Sequence, residues 1–156
     1  MDTSVAVGKF YGNFNIILCV LGNKMDVMSA VHLVKTYCLP TLIFACESWL
    51  SFDKHKLSVI WNNCFRKIFN CCWRESVSVL QYYCNVMPLT YIIEERRLIF
   101  LNKMFHSDIY LLRLLAKYAY NDFLALASKY NVTLSHSKNE VKNRVWQSFA
   151  SSVGLT

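Results

Sequence analysis

The chain has 156 residues and a formal net charge of +7; 54% of its residues are hydrophobic and 17% are charged. Its length predicts one domain, and its mean hydropathy of +0.25 is high for a soluble protein. The longest uncharged runs, Phe10–Asn23 and Thr36–Cys46, fall short of the roughly 18 apolar residues that a membrane-spanning helix needs. We therefore expect no membrane segment, and apolar surface left bare by missing neighbouring domains.

The cysteines and histidines do not form a metal-binding pattern. Seven cysteines and four histidines are present, but no Cys-x-x-Cys occurs and the histidines have no ligand spacing. We expect buried thiols in a reducing compartment, cytoplasmic or nuclear, because Met1 is followed by Asp2 and not by a basic signal-peptide region. No metal, cofactor or catalytic residue is predicted, since phosphate loops, Gly-x-Ser-x-Gly and His-Glu-x-x-His are missing from the sequence.

Helical periodicity begins near the N-terminus. One apolar stripe at i, i+4, i+7, i+8 and i+11 comprises Phe10, Phe14, Ile17, Leu18 and Leu21. Gly22 suits the left-handed position that closes a helix. A second helix is predicted from Asp26. Pro40 interrupts or kinks the pattern, and the helix is then expected to continue to about Leu50.

The clearest predicted helix spans Lys54–Asn70, and Ser51 or Asp53 can cap it. Its buried side is predicted to hold Leu57, Ile60, Trp61, Cys64, Phe65 and Ile68. Its polar side carries Lys56, Asn63, Lys67 and Asn70, with Asn62 and Arg66 beside them. A helix that buries aromatic residues and exposes amides and cations is suited to lie along a phosphate backbone.

The positive charge is concentrated in the same region. Residues 54–74 carry five bases and no acid. The five bases are Lys54, Lys56, Arg66, Lys67 and Arg74. This cluster indicates a nucleic-acid partner, and the alternative interpretation is an ordinary solvated helix face.

A further helix is predicted at about Thr90–Phe105, after a turn at Pro88. Its buried side is expected to comprise Ile93, Phe100, Leu101, Met104 and Phe105. Arg96 and Lys103 are expected to point outward. Glu94 and Glu95 precede two arginines and are interpreted as acids that form salt bridges in a helix.

Three more helices are predicted in the last third of the chain. A leucine-rich helix is expected over Ile109–Tyr120, and a short one then extends to Tyr130. Ser137 and Glu140 fit the capping box of a final helix. Because few alternating runs remain, the predicted fold is all-α, an irregular bundle of about six to eight helices.

Several short motifs together resemble a known family. They are Lys35–Pro40 (KTYCLP), Cys46–Trp49 (CESW), Trp61–Asn63 (WNN), Phe65–Phe69 (FRKIF) and Trp73–Ser76 (WRES), with Lys9–Asn15 (KFYGNFN) upstream. In this order and spacing they resemble the segment after the polymerase core in reverse transcriptases of non-LTR (LINE-type) retrotransposons. The resemblance covers roughly residues 8–105. It implies a thumb-like helical region over residues 1–106 and a C-terminal helical extension over residues 107–156, packed together as one domain.

The resemblance also implies that the active site is missing. Polymerases hold two divalent cations on carboxylates, which this family places in the palm on an Ala-Asp-Asp-type motif. The five aspartates of this chain are scattered and none adjoins another. The expected protein is therefore a non-catalytic fragment, with the missing palm and fingers as possible partners.

A thumb of this family holds RNA or an RNA–DNA hybrid by its backbone and does not read its sequence. The residues predicted to contact the backbone are Arg66 and Lys67 first, then Lys56 and Asn63, then Arg74. Trp49, Trp61 and Phe65 could stack on bases, but their helical spacing favours the core.

Two alternatives stay open. The chain could be a helical protein–protein interaction module, whose leucine-rich segment Ile109–Leu115 docks a partner or mediates self-association. It could also be a retroelement relic without a function.

Overall fold

The computed structural model describes residues 4–22, 26–44, 46 and 54–154. Within these ranges there are only helices, turns and connecting segments, and no strand, which confirms the all-α prediction. The helices are α1 (Ser4–Leu21), α2 (Val27–Leu33), α3 (Leu39–Leu42), α4 (Lys54–Phe69), α5 (Ser78–Tyr83), α6 (Leu89–Phe105), α7 (Tyr110–Tyr118), α8 (Tyr120–Tyr130) and α9 (Lys138–Val153). The predicted caps Ser51 and Asp53 lie outside the described residues.

The chain divides into two compact units. The first contains the described parts of residues 1–45 and 50–89, and the second contains those of 46–49 and 90–156. The sequence placed a division at residues 106 and 107, whereas the structure groups α6 with the C-terminal helices. Aromatic contacts hold α6 against the C-terminal helices. The ring of Tyr91 on α6 lies 5.4 Å from that of Phe149 on α9, and the ring of Phe105 on α6 lies 5.6 Å from that of Phe123 on α8. The packing of the whole chain as one domain stays a prediction.

Trp61 is the centre of the first unit. Its side chain is 0% exposed, and its ring lies 6.5 Å from the ring of Phe10 and 5.4 Å from that of Phe65. Its indole Nε1 donates a hydrogen bond to the carbonyl oxygen of Met87 at 3.3 Å, so the one polar atom of the indole ring is satisfied. All six residues predicted for the buried side of α4 are buried. The helical period of the sequence therefore identified this core correctly.

The helix is continuous through Pro40, whereas the sequence left an interruption or a kink open. Val34–Cys38 forms a π-helical turn that joins α2 to α3, and in it the Leu39 N–H donates to the carbonyl oxygen of Val34. A proline removes one backbone donor and crowds the carbonyl four residues earlier. The wider turn just before Pro40 accommodates this loss, so the helix passes through the proline. The α-helix ends at Leu42, and Ile43 and Phe44 are not helical. The rest of the predicted extension to about Leu50, residues 45 and 47–50, lies outside the described residues.

Polar contacts join α6 to α8 in the second unit. Glu94 Oε2 accepts a hydrogen bond from Lys129 Nζ at 2.7 Å and another from the Tyr130 hydroxyl. Arg97 Nη2 lies 2.9 Å from Asp122 Oδ2. Burial and the neighbouring Glu94 raise the pKa of Tyr130 far above its ordinary value. Tyr130 therefore remains a neutral hydroxyl donor to Glu94.

One predicted core residue of α6 is wrong. Phe100 is 40% exposed, whereas Leu98 is fully buried. Apolar residues occur on every side of α6, so periodicity could not identify the side that faces its neighbours. Arg96 and Lys103 are exposed as predicted.

The last helix begins with the predicted capping box. The Ser137 hydroxyl accepts a hydrogen bond from the Glu140 N–H at 3.3 Å, and the Glu140 carboxylate accepts one from the Ser137 N–H at 2.6 Å. Gly154 ends α9 in the left-handed conformation, at a φ of 73°. Val141, Val145 and Phe149 are buried.

Candidate nucleic-acid interface

Three of the predicted site residues share one exposed row on α4. Lys56, Asn63 and Lys67 are exposed and lie seven and four positions apart. Each helical residue advances by about 100°, so the three fall within an arc of roughly 40°. The buried side of α4, centred about 110° around the helix from this row, packs into the core of the first unit. The row is therefore displayed by a packed helix and not by a loop.

The row is positive along its length. No acid occurs between residues 54 and 74, and Lys56 and Lys67 are separated by about 16 Å along the helix axis, at about 1.5 Å per residue. Lys67 Nζ lies 5.7 Å from the centre of the Phe14 ring on α1. This cation–π contact orients the lysine side chain while leaving the residue exposed.

Arg66, one of the two residues predicted first to contact the nucleic-acid backbone, forms hydrogen bonds within the protein. Its Nε and Nη2 donate hydrogen bonds to the carbonyl oxygen of Glu75 at 3.3 and 3.1 Å. Its Nη1 donates to Asn63 Oδ1 at 2.9 Å. Three of the five guanidinium N–H groups thus hold the loop after α4 and one member of the exposed row. Arg66 is half-buried, and the geometry gives it a positioning role.

The loop held by Arg66 carries the fifth predicted residue, Arg74. The loop starts at Asn70, whose φ of 52° is left-handed, and the Cys71 N–H closes α4 by donating to the Arg66 carbonyl oxygen at 2.9 Å. The Arg74 guanidinium carbon lies 4.8 Å from the centre of the Trp73 ring. Both residues are exposed, so a cation and an aromatic face are presented together.

The exposed aromatic residue of this region is not one that the sequence singled out for stacking. Trp61 and Phe65 are buried in the core, as their spacing favoured, and Trp49 lies outside the described residues. Trp73 is 72% exposed. Its position one residue before Arg74, in a segment without helical periodicity, was the signal that could have identified it.

Cys38 and Cys64 are buried thiols, whereas Cys72, which precedes Trp73 in the loop after α4, is exposed. Burial raises the pKa of Cys38 to about 11, and burial also raises that of Cys64. Desolvation and the Glu75 carboxylate raise the pKa of Cys71. No cluster of three His, Cys, Asp or Glu residues suited to a metal ion occurs within the described ranges. All seven cysteines are free thiols.

Comparisons with known proteins give no relative: no family model matches the chain, and neither a curated protein nor a solved structure shows significant similarity to it. Among the described residues, α1 is long and apolar enough to cross a membrane by length and composition. Phe10, Phe14 and Ile17 are buried in the first unit, but only 17% of the helix is buried, and Val5, Ile16 and Val20 are at least 60% exposed. The helix therefore counts against the expectation of no membrane segment, which stays a prediction.

Proposed function

We propose that this chain is a non-catalytic, thumb-like segment of a non-LTR retrotransposon reverse transcriptase, and that it binds RNA or an RNA–DNA hybrid along the backbone without reading sequence. The observation that supports it most is the exposed row of Lys56, Asn63 and Lys67 on a helix that packs into the core, within a stretch of sequence, residues 54–74, that contains no acid. The family resemblance of the motifs supplies the identity of the partner.

The binding that we propose is electrostatic. Lys56 and Lys67 contact phosphates, and the Asn63 amide lies between them. Arg74 provides a further cation at the end of α4, and Trp73 beside it offers a ring on which an unpaired base can stack. Cations that neutralise phosphates release condensed counterions, so the affinity depends on salt and not on sequence.

Arg66 contributes indirectly in this proposal. Its hydrogen bonds to Glu75 and Asn63 fix the loop of Arg74 relative to the exposed row. Lysine cannot reproduce this arrangement because a single ammonium lacks the planar fork of a guanidinium. Arg66 is accordingly a positioning residue, and Lys56 and Lys67 are the residues that contact the ligand.

The experiment is a fluorescence anisotropy titration of labelled RNA–DNA hybrids with the full chain. Three hybrids of unrelated sequence are compared for the wild type and for the Lys56→Ala/Lys67→Ala variant. The matched control is Arg113→Ala/Lys117→Ala, which removes the same charge from exposed positions on α7. We expect the α4 variant to lose the same factor on all three hybrids, about tenfold or more, while the control stays within about threefold.

Three outcomes contradict the proposal. Equal losses in both double variants would mean that net charge alone attracts the nucleic acid. A loss confined to one of the three sequences would mean base readout. If a folded wild-type protein binds no hybrid at all, the alternatives of an interaction module or a functionless relic are favoured.

A specific surface favours the interaction module as the second candidate. On α7, Tyr110, Leu111, Leu115 and Tyr118 are between 48% and 83% exposed. Exposed apolar side chains grouped on one helix are typical of association surfaces. Sedimentation velocity over a range of protein concentrations tests this candidate: a mass that rises with concentration, and that Leu111→Ser/Leu115→Ser abolishes, supports it, and a constant monomer mass contradicts it.

A further inference from the structure

The turn after α4 is held in place by hydrogen bonds of its last residue, Glu75. The Glu75 N–H donates to the Cys72 carbonyl oxygen at 3.1 Å, which closes a four-residue β-turn. The Glu75 carbonyl oxygen accepts the two hydrogen bonds from Arg66 on α4. Trp73 and Arg74 are the two central residues of this turn. Their backbone is therefore fixed relative to α4, although the segment is not helical.

The ring of Trp73 is presented to solvent. It is 72% exposed, whereas a tryptophan side chain in a folded protein is ordinarily well buried. The Arg74 guanidinium carbon lies 4.8 Å from the centre of the ring. A guanidinium covers one face of a ring, so most of the exposed area belongs to the other face and to the edge. That open aromatic face is available to a flat ligand group.

The surroundings of the ring favour a ligand that is both flat and negatively charged. Residues 54–74 contain five bases and no acid, and Arg74 is exposed beside the ring. Glu75 is the first acid after this stretch, and its carboxylate interacts with the Cys71 thiol. An apolar protein surface or a lipid tail would remove water from the Arg74 guanidinium without offering it an acceptor, which is unfavourable. A nucleotide offers a base to the ring and a phosphate to the guanidinium.

The base that stacks on Trp73 has to be unpaired. Stacking of a base on an aromatic side chain contributes about 1–3 kcal/mol, which is about fivefold to 140-fold in affinity at about 1.4 kcal/mol per factor of ten. In an intact duplex, each internal base is already stacked on its neighbours. Extruding such a base costs about as much as the new contact returns, so the net gain is small. Trp73 therefore adds affinity only where a base is already unpaired, as in a single-stranded overhang.

The turn adjoins the exposed row of α4. The row ends at Lys67, in the last turn of α4, and the β-turn follows the end of that helix. Arg66 connects the two, because it donates one hydrogen bond to Asn63 in the row and two to Glu75 in the turn. A duplex that lies along the row therefore meets the turn at the Lys67 end.

We infer that the turn of Trp73 and Arg74 is a binding site for one unpaired nucleotide, whose base stacks on the open face of Trp73 and whose phosphate pairs with Arg74. The inference rests on the proposed function, in which the α4 row binds the backbone of a hybrid. It narrows the ligand to a junction between a duplex and a single strand. Every base has a flat aromatic face, so the site accepts any of the four.

The experiment compares two labelled hybrids, with the same duplex and the same overhang length, by fluorescence anisotropy with the full chain. One overhang carries bases and the other consists of abasic nucleotides, so the ligands differ in bases but not in phosphates. We expect the overhang with bases to bind at least about fivefold more tightly. Trp73→Leu should remove this difference. Tyr118→Leu, which removes another exposed ring, on α7, is the matched control and should keep it.

The outcomes separate this site from the proposed backbone contacts of α4. Lys56→Ala/Lys67→Ala should weaken both hybrids by the same factor and preserve the ratio between them, whereas Trp73→Leu should leave the abasic hybrid unchanged. Equal affinities of the wild type for the two hybrids overturn the site and leave the α4 contacts intact. The same two overhangs as free single strands test the site without a duplex. If only the single strands bind and Trp73 distinguishes them, the α4 contacts fail and the site stands; binding of neither strands nor hybrids refutes both.

A neighbouring thiol provides an independent readout. Cys72 directly precedes Trp73 and is exposed, and Cys19 on α1 is exposed as well. Alkylation by N-ethylmaleimide, followed by mass spectrometry of peptides, measures both thiols in one sample. A saturating hybrid with the base-carrying overhang should slow the reaction of Cys72 more than the abasic hybrid does, and should leave that of Cys19 unchanged. Equal rates at Cys72 with the two hybrids would place the base elsewhere and overturn the inference.

Discussion

The role of Arg66 is open to a direct stability test. Arg66→Ala removes two hydrogen bonds to the Glu75 carbonyl oxygen, at 3.1 and 3.3 Å, and one to Asn63 Oδ1, at 2.9 Å. A hydrogen bond from a charged group contributes about 1.5–3 kcal/mol, and the two bonds to a single half-exposed carbonyl together merit the lower figure. The pair with Asn63, three residues away on the same helix, adds about 0.3 kcal/mol. The expected destabilisation is therefore about 2 kcal/mol.

Urea unfolding followed by circular dichroism measures this effect. With an m-value of about 2 kcal/mol per M, the midpoint should fall by about 1 M. Arg66→Lys keeps the charge but loses the fork, so it should lose most of the same stability. Lys67→Ala removes a neighbouring exposed charge and should stay within about 0.5 kcal/mol of the wild type. An Arg66→Ala protein with the wild-type midpoint would refute the positioning role of Arg66.

Three further predictions concern the fold. Trp61→Ala should cost about 3–5 kcal/mol in urea unfolding, because it empties a fully buried site; a cost below 1 kcal/mol contradicts the described core. Native protein should react rapidly with Ellman's reagent at Cys19 and Cys72, the two exposed thiols, whereas the three buried thiols should react only in denaturant. Hydrogen bonds from Ser137 lower the pKa of Glu140, so the cap stabilises α9 above the unfolded pKa of about 4.3 and this stability is lost as the pH falls through the folded pKa. Glu140→Gln should therefore unfold with a weaker dependence on pH between about 5 and 3, and an unchanged dependence contradicts the capping box.

The sequence predicted best where one side of a helix is apolar and the other is not. The six buried residues of α4 and the capping box of α9 are both local patterns with one physical solution. Prediction from the sequence failed where the burial of a residue depends on contacts with residues distant in the chain. Phe100 is exposed because apolar residues surround α6 and only α8 and α9 decide which side is packed. The π-turn before Pro40 and the short helix α5 have no periodic signal of comparable strength.

At the candidate site, too, the features set by local helical spacing were predicted and those set by more distant residues were not. The exposed row of Lys56, Asn63 and Lys67 follows from helical spacing, and the structure places it as expected. The engagement of Arg66 does not follow from spacing, because its acceptor is a backbone carbonyl nine residues away in an irregular loop. Trp73 was missed because a loop residue has no period from which its exposure can be predicted, and only its position next to Arg74 could have identified it.

The central claim is that the cations of α4 and of the loop after it bind the nucleic-acid backbone. It is tested most directly by the salt dependence of binding to an RNA–DNA hybrid. If Lys56, Lys67 and Arg74 each neutralise one phosphate, the slope of log K against log salt is about −2.7, so the affinity falls about 40-fold between 50 and 200 mM salt. The Lys56→Ala/Lys67→Ala variant should show a slope of about −0.9 and a fall of about fourfold. Equal slopes for the wild type and this variant would contradict the claim.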